Sequence, residues 1–215
     1  MIPDYPRMLW AGRRWLAAAA LLFALGIAGG YVVAVTRPGV ALAEIQPALA
    51  RLREVGQRVT ASRSPVERAL LIYANNLRAV LTMLAGGVLA GIVPALALFV
   101  NGAVVGILLG LGSRLSPLAS SPLLLALSIV PHGVFELPAM WFGGAWGMRL
   151  GLGWLQSDAA GRRGQVFKQL AIEAGQVFLL AAALLLVAAL IEGNVTLALV
   201  RSARASPLVY FDVTI

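Results

Sequence analysis

Residues 15–35 read WLAAAALLFALGIAGGYVVAV, 21 positions without a single charge. As an α-helix this run is about 30 Å long, the thickness of the hydrocarbon core of a bilayer. Arg7, Arg13 and Arg14 precede it, an arrangement shared with signal peptides. The run is longer than a typical signal core and has no clear A-x-A site, so it reads as an uncleaved anchor. The rest of the chain has the same character. Its 215 residues are 60% hydrophobic and 12% charged, where a soluble domain carries about 25% charged residues. Mean hydropathy is +0.87. These values describe a polytopic membrane protein.

Cysteine is absent, which excludes disulfides, thiolate metal sites and cysteine nucleophiles. One histidine argues against a zinc site of the usual kind. Neither a metal nor any other cofactor is expected. The net charge of +8 comes from sixteen arginines and one lysine. Arginines that flank apolar runs meet anionic headgroups. Membrane lipids are therefore the expected partners, and nucleic acid is not.

Beyond the basic tail (1–14) and the first span (15–35), residues 36–68 form the only long polar segment. Leu42, Ile45, Leu49, Leu52 and Val59 recur at three- and four-residue spacing, with Arg51, Arg53, Glu54, Gln57 and Arg58 opposite. That pattern predicts an amphipathic helix, lying on the membrane or the bundle or offering a docking surface. A core domain over 69–192 follows, then a tail over 193–215 with Arg201 and Arg204. The core divides into runs of about 69–92, 94–112, 121–130, 134–155 and 169–191, which makes about six spans in all. Asp158, Arg162, Arg163 and Lys168 mark the loop before the last. Arginine and lysine counts place the three odd-numbered loops inside, whereas the N-terminal cluster places the N-terminus inside; the sidedness stays open.

The run 121–130 is short for a crossing, and Pro131-His-Gly-Val-Phe-Glu-Leu-Pro138 follows it. Pro131, Gly133 and Pro138 are expected to break the helix there. The result is either two crossings or two half-helices meeting inside the membrane. A similarity between Gly106-Ile-Leu-Leu-Gly-Leu-Gly112 and Gly147-Met-Arg-Leu-Gly-Leu-Gly153 suggests that the third and fifth spans run in the same direction.

Glycines recur every four positions: Gly26/Gly30, Gly87/Gly91, Gly102/Gly106/Gly110 and Gly143/Gly147/Gly151. In lipid, close backbone approach holds helices together, so these are expected packing positions; whether any makes a dimer is open, and so is homo-oligomerisation. Asn75, Asn76, Arg78, Asn101, His132 and Glu136 are the polar residues expected at membrane depth, and buried charges need partners. One account is a hydrogen-bond network with Arg78 neutralised by Glu136. The other is a polar cavity for an ion, a proton or a headgroup. Ser128, His132 and Glu136 fall at i, i+4 and i+8, but no G-x-S-x-G elbow accompanies them, so no catalytic residue is expected. Glu173 with Gln176, and Glu192 with Asn194, read as interfacial residues at the two ends of the last span.

Asn75-Asn76 opening a span, Gly86-Gly87 after it, Asn101-Gly102 in the next, and P-H-G-x-x-E-x-P-A from Pro131 to Ala139 resemble the stage II sporulation protein M family, also called the DUF95 family. The resemblance covers about residues 66–200. It implies a small all-α polytopic bundle in a prokaryotic plasma membrane. The family's namesake anchors a complex with two peptidoglycan-degrading proteins during engulfment, and many relatives occur where no spores form. The family's recurrent polar positions fall here on Asn75, Asn76, Asn101, His132, Gly133 and Glu136, and no catalytic role comes with them. The expectation is thus a non-enzymatic scaffold or anchor for cell-envelope partners. The alternative is a transporter or channel for a small ion or lipid that uses His132 and Glu136.

Overall fold

The computed structural model describes residues 3–62, 64–115, 122–156 and 163–196. Asp158, Arg162, Arg201 and Arg204 lie outside these residues, and the side chains of Leu52, Arg114 and Ser128 lie outside those described. The elements are α1 (Tyr5–Ala11), α2 (Arg13–Thr36), α3 (Pro38–Ala61), α4 (Pro65–Gly86), α5 (Ile92–Leu115), α6 (Pro122–Gln156) and α7 (Arg163–Leu190). A π-helical turn, Ile191–Thr196, continues α7. No strand occurs among the described residues.

Prolines set several boundaries. Arg37 precedes Pro38 and takes φ −136°, ψ 64°, because a residue before proline is driven from the helical region. α2 therefore ends at Thr36 and α3 starts with proline in its first turn. Ser64 precedes Pro65 in an extended conformation, and its hydroxyl accepts from the Glu67 backbone N–H, capping α4.

Among the described residues, four helical stretches are long and apolar enough to cross a membrane: Arg13–Thr36, Pro65–Gly86, Ile92–Gly112 and Arg163–Asn194. The interior is built of small residues. Among the described residues, ten of the 25 buried apolar ones are alanine, while Leu21, Leu25, Leu81, Leu96 and Leu179 are each more than half exposed. That distribution suits a lipid solvent, in which large side chains gain nothing by moving inward.

Helix directions follow from backbone approaches. A methyl group on Gly102 would collide with the Phe23 carbonyl and one on Gly106 with the Ile27 carbonyl; one on Gly110 would lie 2.6 Å from Ala34 Cβ. Contacts that advance together along both chains mean that α2 and α5 run parallel. The same holds for α4 and α6: Gly143 meets Val80, Gly147 meets Met83, and Gly151 meets Gly87 and Gly91. Gly91 also takes φ +71° in the α4–α5 turn, a conformation open to glycine. Gly144 against Leu98 and Gly147 against Pro94 make α5 and α6 antiparallel. Arg149 paired with Glu173, and Gly153 against Leu170, make α6 and α7 antiparallel.

Two expectations are corrected here. Residues 122–156 form one 35-residue helix that runs through Pro131, Gly133 and Pro138 without a break. Each proline removes a single N–H, whereas ending the helix there would leave several backbone N–H and C=O groups without intrahelical partners. The expected fourth and fifth spans are therefore one element. For the same reason the glycine-rich matches at 106–112 and 147–153 lie on antiparallel helices, not on helices of one direction.

α3 begins and ends at the same end of the bundle. Ala41 and Ile45 pack with Ala34, Ile107 and Leu111 at the C-terminal ends of α2 and α5. Val59 packs with Ile72 of α4 and Ala189 of α7. Its polar residues Arg51, Arg53, Glu54 and Arg58 are exposed.

Candidate functional site

α6 carries His132 and Glu136 one turn apart on one face. His132 Nε2 lies 3.9 Å from Glu136 Oε2, with the two side chains 12% and 23% exposed. α7 reaches this face where its α-helical winding relaxes into the π turn. Such turns insert an extra residue per turn, shift side-chain register and recur at functional sites. The turn carries Glu192, and one donor atom from each of His132, Glu136 and Glu192 lies within 4.8 Å of the others.

The N-terminal turn of α4 closes the neighbourhood. Arg68 Nε donates to the Gly193 carbonyl at 3.0 Å, and a terminal guanidinium nitrogen donates to the Ser62 carbonyl at 3.3 Å. Gly193 is buried; a methyl group there would lie 3.3 Å from the Ala69 nitrogen. The His132 Nδ1 atom is buried with no hydrogen-bond partner among the described residues.

The other polar residues singled out in the sequence do not join this centre. Asn75, Arg78 and Asn101 are exposed. They line a cleft of about 630 Å³ between α3 on one side and α4 and α5 on the other, together with Arg51, Glu54 and Arg58. Arg58 pairs with Glu54 at 2.7 Å. Asn76 accepts a 3.3 Å hydrogen bond from Asn75, and Asn101 donates back to the Ala97 carbonyl at 2.7 Å. Among the described residues no ion pair joins Arg78 to Glu136. A single buried cluster is therefore replaced by two sites: an interhelical His/Glu/Glu group and an open basic cleft. Pro131 and Gly133 flank His132 within the unbroken helix, and Pro138 lies one turn beyond Val134.

Sequence reasoning missed two residues of this neighbourhood and one ion pair elsewhere. Glu192 was placed at an interface, because nothing local in α7 reveals the π turn that presents it. Arg68 was taken as part of the polar segment before the second span. Arg149 and Glu173, paired at 2.9 Å with each side chain 19% exposed, clamp α6 to α7 at the opposite end of the bundle. Near that pair, the Tyr5 hydroxyl donates to the Gln176 carbonyl at 3.4 Å. The antiparallel register of α6 and α7 brings all these pairs together, and charge spacing along the chain carries no sign of it.

A family model described as Stage II sporulation protein M matches residues 19–197. An uncharacterized protein of the archaeon Methanocaldococcus jannaschii is 41% identical over 70 residues. The matched region is 32% of this chain and 37% of that relative, so little more than a third of the relative's length is covered. No solved structure matches.

Proposed function

Because this chain belongs to the stage II sporulation protein M family, we propose that it is a non-enzymatic anchor in a prokaryotic plasma membrane that holds a cell-envelope protein through α3. The observation that carries this reading is the way α3 is seated. Ala41, Ile45 and Val59 are buried against the bundle, while Arg51, Arg53 and Arg58 stay exposed, Arg51 and Arg58 lining the cleft between α3 and the bundle. Arg78 adds a fourth guanidinium across the cleft. A strip of this charge favours an acidic segment of the partner, since complementary potentials steer association and exclude wrong partners. α6 is read here as a fifth crossing, being antiparallel to both α5 and α7.

The test places a photo-crosslinking residue at Arg53 in the full chain in its native membrane. The expected result is a crosslink mapped to an acidic stretch of one envelope protein, lost when Arg51 and Arg58 are replaced by Glu. Undiminished crosslinking in that variant would overturn the reading.

A second reading, passage of a small ion, draws support from the His132–Glu136–Glu192 group. It requires ion flux in proteoliposomes that His132→Ala with Glu136→Gln abolishes. Unchanged flux in that folded double variant removes it.

A further inference from the structure

We infer that His132, Glu136 and Glu192 form a binding site for one divalent transition-metal cation of the Zn²⁺ or Mn²⁺ type. The inference concerns binding alone and goes beyond both readings above. It rests first on donor chemistry: one imidazole nitrogen and two carboxylates suit such cations, and a histidine narrows the choice away from Ca²⁺ and Mg²⁺, which prefer all-oxygen sets. It rests second on geometry. Donor atoms about 2.0–2.2 Å from a zinc ion lie roughly 3.5 Å from one another. Here they already lie within 4.8 Å, a gap that side-chain rotation closes while the helices stay in place.

Charge balance points the same way. Arg68 gives its hydrogen bonds to two carbonyls, Gly193 and Ser62, and forms no ion pair with the two carboxylates among the described residues. A divalent cation would neutralise both. His132 Nδ1 is buried without a partner, so no protein acceptor fixes the tautomer and either ring nitrogen can serve as donor. The residual exposure of His132 and Glu136 leaves coordination positions open to water. Two donors come from α6 and the third from the π turn, so the ion would tie two helices together at the end of the bundle where α3 lies.

The experiment uses the full chain purified in detergent, stripped with chelator, then equilibrated with Zn²⁺ or Mn²⁺ and freed of excess. Elemental analysis is expected to find one metal per chain. Glu136→Gln and Glu192→Gln are each expected to weaken the affinity by about tenfold or more. Co²⁺ added to the unsubstituted protein is expected to give visible d–d absorption that Zn²⁺ displaces, a readout that needs no variant. If Glu192→Gln does not fold, Glu192→Asp, which keeps the charge and shortens the reach, takes its place and is also expected to weaken binding. Absence of bound metal and of the Co²⁺ bands, as a proton shared by the two carboxylates would give, overturns the inference. So does undiminished affinity in a folded variant.

Discussion

At the residue scale, two kinds of side chain decide stability. Glycines at helix crossings have no room to grow. Gly106 faces the Ile27 carbonyl, whereas nothing lies within 4 Å of a methyl group on Gly175. Gly106→Ala should therefore destabilise the protein by about 1–3 kcal/mol, the usual cost of overpacking. Gly175→Ala should be neutral or stabilising by up to about 1 kcal/mol, because it removes backbone freedom from a helix. Thermal melts of the two variants in one detergent check the opposite signs. The Arg149–Glu173 pair is the other case. Arg149→Met leaves Glu173 without its paired guanidinium in a pocket shared with Asp4, Arg7 and Gln176 and should cost about 1–3 kcal/mol. Arg149→Met with Glu173→Met should recover most of that loss, since the pair is replaced by apolar groups of similar size. A double variant as unstable as the single one would show that the packing of these side chains, and not their charge, holds the site.

At the element scale, α6 divides what sequence could and could not reveal. The helices α2, α4 and α5 were legible because runs of hydrocarbon length, with charges at their ends, have one solution in a bilayer. α3 was legible in part from its periodic apolar face: Ile45 and Val59 are buried as that face requires, whereas Leu42 is 41% exposed and Ala41 takes the buried place beside Ile45. α6 was not. Pro131 and Pro138 carry a strong local signal for a break, and the local rule fails because a break forfeits more backbone hydrogen bonds than the prolines do. Glu192 was hidden for a related reason: its partners are 56 and 60 residues away, and only the register of α6 against α7 unites them. Of the polar residues, His132 and Glu136 were recognisable as a pair from spacing alone. Asn75, Arg78 and Asn101 looked equally buried, because hydropathy cannot tell the inner face of a span from a cleft. The continuity of α6 is directly measurable. Val130 and Leu155 are exposed at 56% and 43%, and the chain has no cysteine. Spin labels on Val130→Cys and Leu155→Cys should lie about 37 Å apart along an unbroken helix. A much shorter distance would mean that the chain folds back at a proline.

At the scale of the whole molecule, helix directions fix which segments share an end. α2, α5 and α7 run one way, and α4 and α6 the other. α3 returns to the end where α2 finished. Trp10 and Leu89 therefore belong to one face of the membrane, and Val40 and Val66 to the other; all four are exposed. Single cysteines at these positions, treated in intact cells with a membrane-impermeant reagent, should react as pairs, one pair labelled and the other protected. Labelling of Trp10→Cys and Val40→Cys from the same side would contradict the arrangement.

The parallel seam between α2 and α5 has one more consequence, for how the molecule is born. Neighbours in sequence usually become neighbours in space, yet the surface bearing Gly26 and Gly30 meets a helix made only after α3 and α4. While the ribosome is still at work, the first helix waits in the bilayer with its narrow groove unfilled. Its glycine face is completed only when α5, the helix that fills it, has been made.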